Sequence, residues 1–136
     1  FDLASLHHKL IVDVFERTRN IRSSDLLCEN KEICKYSYRI YRKYAALGNS
    51  SAMIYISNIL FTLPEKKFLS DALMWSISAQ KIGINDEILE ENSRKIINHF
   101  KSTNYKEVIQ AKKLSRICIE SNFKDCGFHD QEIWNL

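Results

Sequence analysis

The side chains with the most reactive chemistry in this sequence are its four cysteines, which fall into two local pairs. Cys28 lies six residues before Cys34, and Cys118 lies eight residues before Cys126. Such pairs favour disulfide bonds formed in an oxidising compartment, and each short loop closed in this way would stabilise the fold by about 2–2.5 kcal/mol. Two alternatives stay open: the thiols could be buried as small apolar side chains, or they could bind zinc, although neither spacing is the usual one for zinc.

Histidines and carboxylates offer little further chemistry. The four histidines are scattered, and no two form the His-x-x-x-His pair that brings metal ligands to one face of a helix. They are His7, His8, His99 and His129. An acidic cluster at 87–91 coincides with the predicted start of a helix, where acids gather for electrostatic reasons alone. Since the sequence also has no glycine-rich phosphate loop and no glycine-flanked serine, we predict no enzymatic activity, no metal site and no cofactor.

A basic, tyrosine-rich segment at 31–44 predicts an alternative function, the binding of nucleic acid. Lysine and arginine attract a phosphate backbone, while aromatic rings stack on bases. Five basic residues stand there against Glu32, with four tyrosines between them. They are Lys31, Lys35, Arg39, Arg42 and Lys43, with Tyr36, Tyr38, Tyr41 and Tyr44. The competing interpretation places Tyr41 and Tyr44 in the core and the charges in solvent, and the net charge of +3 is mild for a nucleic-acid-binding protein.

These side chains must be positioned by helices. The chain of 136 residues is 45% hydrophobic and 27% charged, which suits one folded domain over 1–136, and it has only three glycines and one proline to make turns. Its longest apolar run, 52–63, is too short and too polar to cross a bilayer. Apolar residues recur at helical spacing, with Asn85 or Asp86 as the cap of the fifth helix and Asn104 with Glu107 as a capping box for the sixth. The pattern predicts an all-α fold with helices at about 2–20, 31–47, 50–63, 68–83, 86–100 and 104–118.

Two glycines punctuate this pattern at a regular interval. Gly48 and Gly83 are 35 residues apart; each ends an apolar helical segment, and each is followed within two residues by an asparagine. A glycine just past a helix takes the left-handed conformation that other residues avoid, and so closes the helix. A recurrence in the thirties is typical of arrays of helical hairpins. Because such arrays need covered ends, we expect the first helix and the aromatic tail 123–136 to act as caps.

The residues around these glycines resemble one unit of the Sel-1-like repeat, a relative of the tetratricopeptide repeat. The matching residues are Gly48, Ala52, Ile56, Ser57, Leu60, Ala72, Trp75, Ala79 and Gly83. The match departs from the family pattern at Leu60, where tyrosine is usual, and at Leu63, where the loop glycine is missing. It is strong from Gly48 to Gly83 and weaker over the rest of 31–122. The resemblance implies about six antiparallel helices in hairpins that form a short right-handed solenoid, with Trp75 buried between small neighbours.

The same resemblance implies a function. Proteins of this family bind other proteins, and the first helix of each hairpin lines the binding groove. Here the groove residues would be Ser51, Ile54, Asn58, Phe61 and Thr62. Ile54 and Phe61 would be exposed apolar anchors, unless another helix covers them. Family members include periplasmic immunity proteins, so we expect a non-catalytic protein that binds and neutralises a secreted toxin. The lack of an initiator methionine further suggests a processed chain, periplasmic or secreted, whose targeting segment has been removed.

Overall fold

Every regular element in residues 31–63, 65–127 and 129–135, the part of the chain that the computed structural model describes, is a helix. The predicted all-α class is confirmed. The predicted helix at 2–20 and the pairing of Cys28 with Cys34 lie outside the described residues. A 3-10 turn, Lys66–Phe68, precedes the third of six α-helices. The six are α1 Lys31–Ala45, α2 Ser50–Thr62, α3 Leu69–Ile82, α4 Glu87–Thr103, α5 Tyr105–Glu120 and α6 Asp130–Trp134.

Helix α3 lies at the centre of the described helices. It packs most extensively against α2 and α5 and also contacts α4. Its sequence is uncharged between Asp71 and Lys81, and every residue from Asp71 to Ala79 is buried. A helix that is apolar all round is typically surrounded by other helices. None of the described helices is both long enough and apolar enough to traverse a lipid bilayer.

Serines make the close contacts between α3 and its neighbours. The Ser57 hydroxyl on α2 donates to the Ala72 carbonyl at 2.6 Å and lies 2.6 Å from the Ser76 hydroxyl on α3. The Ser78 hydroxyl on α3 lies 2.7 Å from that of Ser115 on α5. These side chains are small enough for two helices to approach closely, and their buried hydroxyls are satisfied by one another. The role assigned to Ser57 from its size therefore agrees with its position.

The turn between α1 and α2 forms as the glycine predicts. Gly48 has a φ of 86°, its amide donates to the Ala45 carbonyl at 2.9 Å, and the Asn49 amide donates to the Tyr44 carbonyl at 3.2 Å. Those two bonds make a Schellman closure. The Asn49 side chain then accepts from the Ala52 amide at 2.9 Å. Asn49 therefore completes the closure of α1 with its amide and caps α2 with its side chain.

The second glycine makes a different joint. Gly83 also has positive φ, at 106°, but its ψ of 132° continues the chain in an extended conformation. The chain therefore runs on through Ile84 and Asn85 before Asp86 caps α4, accepting from the amides of Ile88 and Leu89. Of the two predicted caps, Asp86 is the one used. Both glycines thus adopt a positive φ. The connection after Gly83 is longer because two residues, Ile84 and Asn85, stand between it and the cap of the next helix.

The predicted capping box at α5 is wrong. Asn104 occupies the N-cap position of α5 but its side chain makes no capping hydrogen bond. The carboxylate of Glu107 instead accepts from the Ser70 hydroxyl on α3, at 2.5 Å. Asn104 is at the same time the last cap of α4, with φ −151° and ψ 66°. Because a single residue joins the two helices, its conformation is set by both, and Glu107 is used in a tertiary contact.

Candidate functional site

The predicted partner-binding residues on α2 do not form one exposed face. Ile54 is fully buried, which contradicts its expected exposure. Phe61 is half-buried and its ring stacks on that of Phe100 of α4 at 5.5 Å between centroids. Ser51 and Asn58 are half-buried, and the side chain of Thr62 lies outside the described residues. Helix α2 is buried at nearly every position from 52 to 60. Apolar residues therefore occur on all its faces, and the sequence alone does not show which face is exposed. A role in partner binding stays a prediction for Ser51, Asn58, Phe61 and Thr62.

The basic, tyrosine-rich helix α1 is largely engaged in the fold. Tyr38 and Tyr41 are buried, and the Tyr41 ring stacks on that of Tyr55 at 5.0 Å. The side chain of Arg42 is only 14% exposed and its guanidinium carbon lies 5.0 Å from the centre of the Trp75 ring. The interpretation that the tyrosines serve the core therefore holds for Tyr41, and Arg42 is not available to an external phosphate.

Arg42 and Tyr38 instead hold the C-terminal tail through a group of polar residues that we call the clasp. Asp130 accepts from the Tyr38 hydroxyl at 2.5 Å and from Arg42 Nε at 3.1 Å. Arg42 Nη2 donates to the Cys126 carbonyl at 3.0 Å. The His129 amide donates to the buried carboxylate of Asp71 at 3.2 Å. The clasp thus consists of two residues of α1, one of α3 and three of the tail: Tyr38, Arg42, Asp71, Cys126, His129 and Asp130.

A disulfide and a glycine position the clasp. Cys118 near the end of α5 is bonded to Cys126, with 4.7 Å between their Cα atoms. The predicted bond for this pair is therefore present, and it fixes the start of the tail beside Arg42. Gly127 has a φ of 73°, and a Cβ there would lie 2.3–2.6 Å from the carboxylate atoms of Asp130. Only glycine lets the chain turn so tightly over that carboxylate.

The charges of the clasp are shaped by burial. Burial and the adjacent Asp130 carboxylate raise the pKa of the Tyr38 hydroxyl. Burial also raises the pKa of Asp71 to about 6, although His129 and its amide act in the opposite direction. At the exposed edge, Lys67 and then His129 lower the pKa of Glu132. Because the clasp carboxylates bind groups of this same chain, we interpret the cluster as a structural fastening of the tail.

The raised pKa of Asp71 predicts a pH dependence of stability. The folded protein holds this proton more tightly than the unfolded chain, whose ordinary value is 3.8. The resulting stabilisation is full below that value and is lost as the pH rises to about 6, a change of about 3 kcal/mol. Asp71→Asn can still accept from the His129 amide, and we expect its stability relative to the wild type to improve by most of that amount between pH 4 and 7. Urea unfolding across this range measures the difference.

The matched control is Asp125→Asn, an exposed carboxylate of the same tail. The stability difference between this variant and the wild type should be flat over the same pH range, because the Asp125 side chain is exposed to solvent in the folded chain as well as in the unfolded one. A flat difference for Asp71→Asn as well would contradict the raised pKa.

A basic groove lies between α3, α4 and α5. It has a volume of about 310 Å³ and a floor of two largely buried isoleucines, Ile77 of α3 and Ile97 of α4. Polar amides and four cationic side chains complete its walls. The amides are Gln80 and Asn98, and the cations are Lys81, Arg94, Lys101 and Lys112.

The charge of this groove is poorly compensated. Its lining contains no acidic residue. Within the described residues, the ion pair found for its four cations joins Arg94 to Glu90 at 4.0 Å. The basic surface continues along α5, where Ile109 and Arg116 lie three residues before and four residues after Lys112, on the same strip of the helix. Ile109 is 40% exposed. The groove is therefore an apolar surface framed by positive charge.

The sequence contained a signal for one wall of this groove. Arg94, Asn98 and Lys101 recur at i, i+4 and i+7, which places them on one face of α4. No local pattern indicated that Lys81 and Lys112, from two other helices, would face them.

No group of three histidine, cysteine or acidic side chains in the described residues is arranged to hold a metal ion. Comparison with known proteins finds no matching family model, curated protein or solved structure. The case for a function accordingly depends on the groove and on the way the helices are joined.

Proposed function

We propose that this chain is a non-catalytic helical-repeat module that binds another protein in the basic groove. The observation that carries the proposal is the combination of an apolar floor with four cations that lack acidic neighbours in the lining. The two isoleucines are 6% and 9% exposed, and the like charges around this small apolar floor repel one another. A bound partner would cover the isoleucines and neutralise the cations. Binding of a partner would therefore account for this arrangement of side chains.

Recurrent joints support the Sel-1-like assignment. Asn49 and Asp86 cap α2 and α4, 37 residues apart, each through its side chain. Ser57 and Ser93 are 36 residues apart, and both hydroxyls bond to α3 at or next to Ser76. Ser57 bonds to α3 within its own hairpin and Ser93 bonds to α3 from the next hairpin, so small residues recur where neighbouring helices approach, as expected of stacked repeat units. We extend the proposal to a short right-handed solenoid with the tail as its cap.

The same Schellman closure ends α1 and α5. At the end of α5, Asn122 with a φ of 56° stands where Gly48 stands after α1. The Asn122 amide donates to the Ile119 carbonyl at 3.0 Å and the Phe123 amide donates to the Cys118 carbonyl at 2.8 Å. Asparagine is the usual substitute for glycine at this position.

A more specific form of the proposal concerns the compartment and the partner. The disulfide between Cys118 and Cys126 is of the kind that persists outside reducing compartments, which supports a periplasmic or secreted protein. A small non-catalytic binder in that location fits an immunity protein that neutralises a secreted antibacterial toxin.

The test compares two double charge reversals of equal size. Lys101→Glu with Lys112→Glu alters the groove, and Arg39→Glu with Lys43→Glu alters the outer face of α1. Each pair consists of one exposed residue in the middle of a helix, Lys112 or Arg39, and one exposed residue in the last turn of a helix, Lys101 or Lys43. We expect the groove pair to weaken capture of a protein from nuclease-treated extract of the native cell by at least about tenfold, and the α1 pair to change it by less than about twofold.

The opposite result would favour nucleic acid. If untreated extract yielded captured material that nuclease treatment removed, and the α1 pair abolished that capture while the groove pair did not, binding of nucleic acid through α1 would replace this proposal. A gel-shift assay with single-stranded DNA and RNA gives the same decision independently.

A further inference from the structure

The groove also indicates what kind of partner segment it can accept. From its charge, floor and length we infer that it binds an acidic amphipathic helix of the partner protein, an inference that rests on the protein-binding function proposed above. Three features of the groove carry it: the excess of cations, the aliphatic floor, and the length of the strip from Arg94 to Lys101 on α4.

The cations require acidic flanks on the bound segment. Lys81, Lys101 and Lys112 come from three different helices and face one opening, and within the described residues none of them is ion-paired. A segment with glutamate or aspartate on both edges would neutralise both walls at once. A neutral or basic segment would leave these charges repelling one another in a partly desolvated site.

The floor requires apolar anchors. Ile77 and Ile97 present aliphatic surface at the bottom of the groove, and aliphatic surface gains from contact with leucine-like side chains and not from contact with carboxylates. The volume of about 310 Å³ is at the small end for a binding site. It suits two or three side chains projecting from a larger partner.

The same floor argues for a helix over an extended strand. An extended peptide needs donors and acceptors along its whole backbone, as at the edge of a sheet, whereas the uncharged polar groups of the lining are two amides, those of Gln80 and Asn98. A helix satisfies its own backbone groups and can lie on apolar surface without loss. On α4 the strip from Arg94 to Lys101 covers seven residues, about 10.5 Å. That length matches two turns of a bound helix with anchors at i, i+4 and i+7.

Two other occupants fit less well. Single-stranded nucleic acid is held largely by stacking on aromatic rings, and the groove lining contains none, although Tyr105 is exposed two turns before Lys112 on the same strip. A second copy of the chain would have to offer Ile88, which is 72% exposed between Glu87 and Glu91. That segment carries a single apolar anchor, whereas the floor has room for more than one.

Fluorescent peptides of 16 residues test the inference directly. The main probe carries leucine at i, i+4, i+7 and i+11 with glutamate on both flanks; one control replaces leucine by serine, and another replaces glutamate by lysine. We expect only the main probe to bind, at least about tenfold more tightly than either control. Its affinity should fall at least about tenfold for Lys101→Glu with Lys112→Glu, fall with salt as the Debye length shortens from 0.05 to 0.5 M NaCl, and stay unchanged for Arg39→Glu with Lys43→Glu.

Several results would overturn the inference. One is equal binding of the serine control, which would make the contact purely electrostatic. A second is absence of binding of the main probe, or binding that ignores the groove variant. A third is groove-dependent binding of oligodeoxythymidylate, and a fourth is self-association of the chain in sedimentation that the groove variant abolishes. If capture of a native protein depended on the groove but the main probe did not bind, this inference would fail while the proposed function stood. If the main probe bound as expected but the native cell yielded no protein partner, the proposed function would be the part that fails.

Discussion

Trp75→Ala should lower the free energy of unfolding by about 3–5 kcal/mol. The Trp75 side chain is fully buried, as are Ala72 and Ala79 on the same helix, so α3 has no large side chain beside the ring that could fill the space it leaves. The substitution also removes the surface on which the Arg42 guanidinium lies, 5.0 Å from the ring centre. Urea unfolding followed by circular dichroism measures the change.

Two matched variants separate the causes. The indole nitrogen of Trp75 has no hydrogen-bond partner within the described residues, so Trp75→Phe loses volume but no hydrogen bond and should cost clearly less than Trp75→Ala. Tyr105→Ala removes an aromatic ring that is 59% exposed and should change stability by less than about 0.5 kcal/mol. A Trp75→Ala protein as stable as Tyr105→Ala would contradict the central position of α3.

Asp130→Ala should destabilise the protein by about 2–4 kcal/mol, because it leaves the clasp without its acceptor. The Tyr38 hydroxyl, fully buried, and the Arg42 guanidinium both donate to this carboxylate. Removing one partner of a buried charge pair typically costs 3–5 kcal/mol, and the 25% exposure of the Asp130 side chain reduces that figure. Urea unfolding gives the magnitude, and hydrogen exchange should show faster exchange across 121–135.

The control for this variant is Asp125→Ala, which removes an exposed carboxylate five residues earlier in the tail. It should change neither stability nor exchange appreciably. Asp130→Asn keeps an acceptor for Tyr38 but no charge for Arg42, and should fall between the two. Equal stability of Asp130→Ala and Asp125→Ala would mean that the disulfide alone holds the tail.

Features encoded over a few residues could be predicted from the sequence. Apolar spacing gave the helices, since the helical period fixes which residues share a face. The positive φ of Gly48 followed from its place after an apolar segment, and the burial of Trp75 followed from the alanines beside it. Cys118 and Cys126 could be paired because only eight residues separate them.

Predictions that required knowledge of a helix's neighbours failed. Glu107 has the spacing of a capping residue, yet its carboxylate accepts a hydrogen bond from the Ser70 hydroxyl of α3. Ile54 has the position of an exposed anchor, yet it is fully buried, because α2 has apolar residues on both sides. In each case the local pattern allowed two outcomes, and packing selected one.

The sequence by itself therefore determined the helical class, the turn at Gly48, the buried tryptophan and one disulfide, because local sterics, periodicity and short loop closure are properties of adjacent residues. Only the tertiary structure decided the clasp, where Arg42 meets an aspartate 88 residues later, and the basic groove, where cations of three helices face one opening. Lysine and arginine on a helix surface look the same in sequence whether they face solvent or one another. Their electrostatic meaning depends on distances between helices, and those distances are set by the packing of the core.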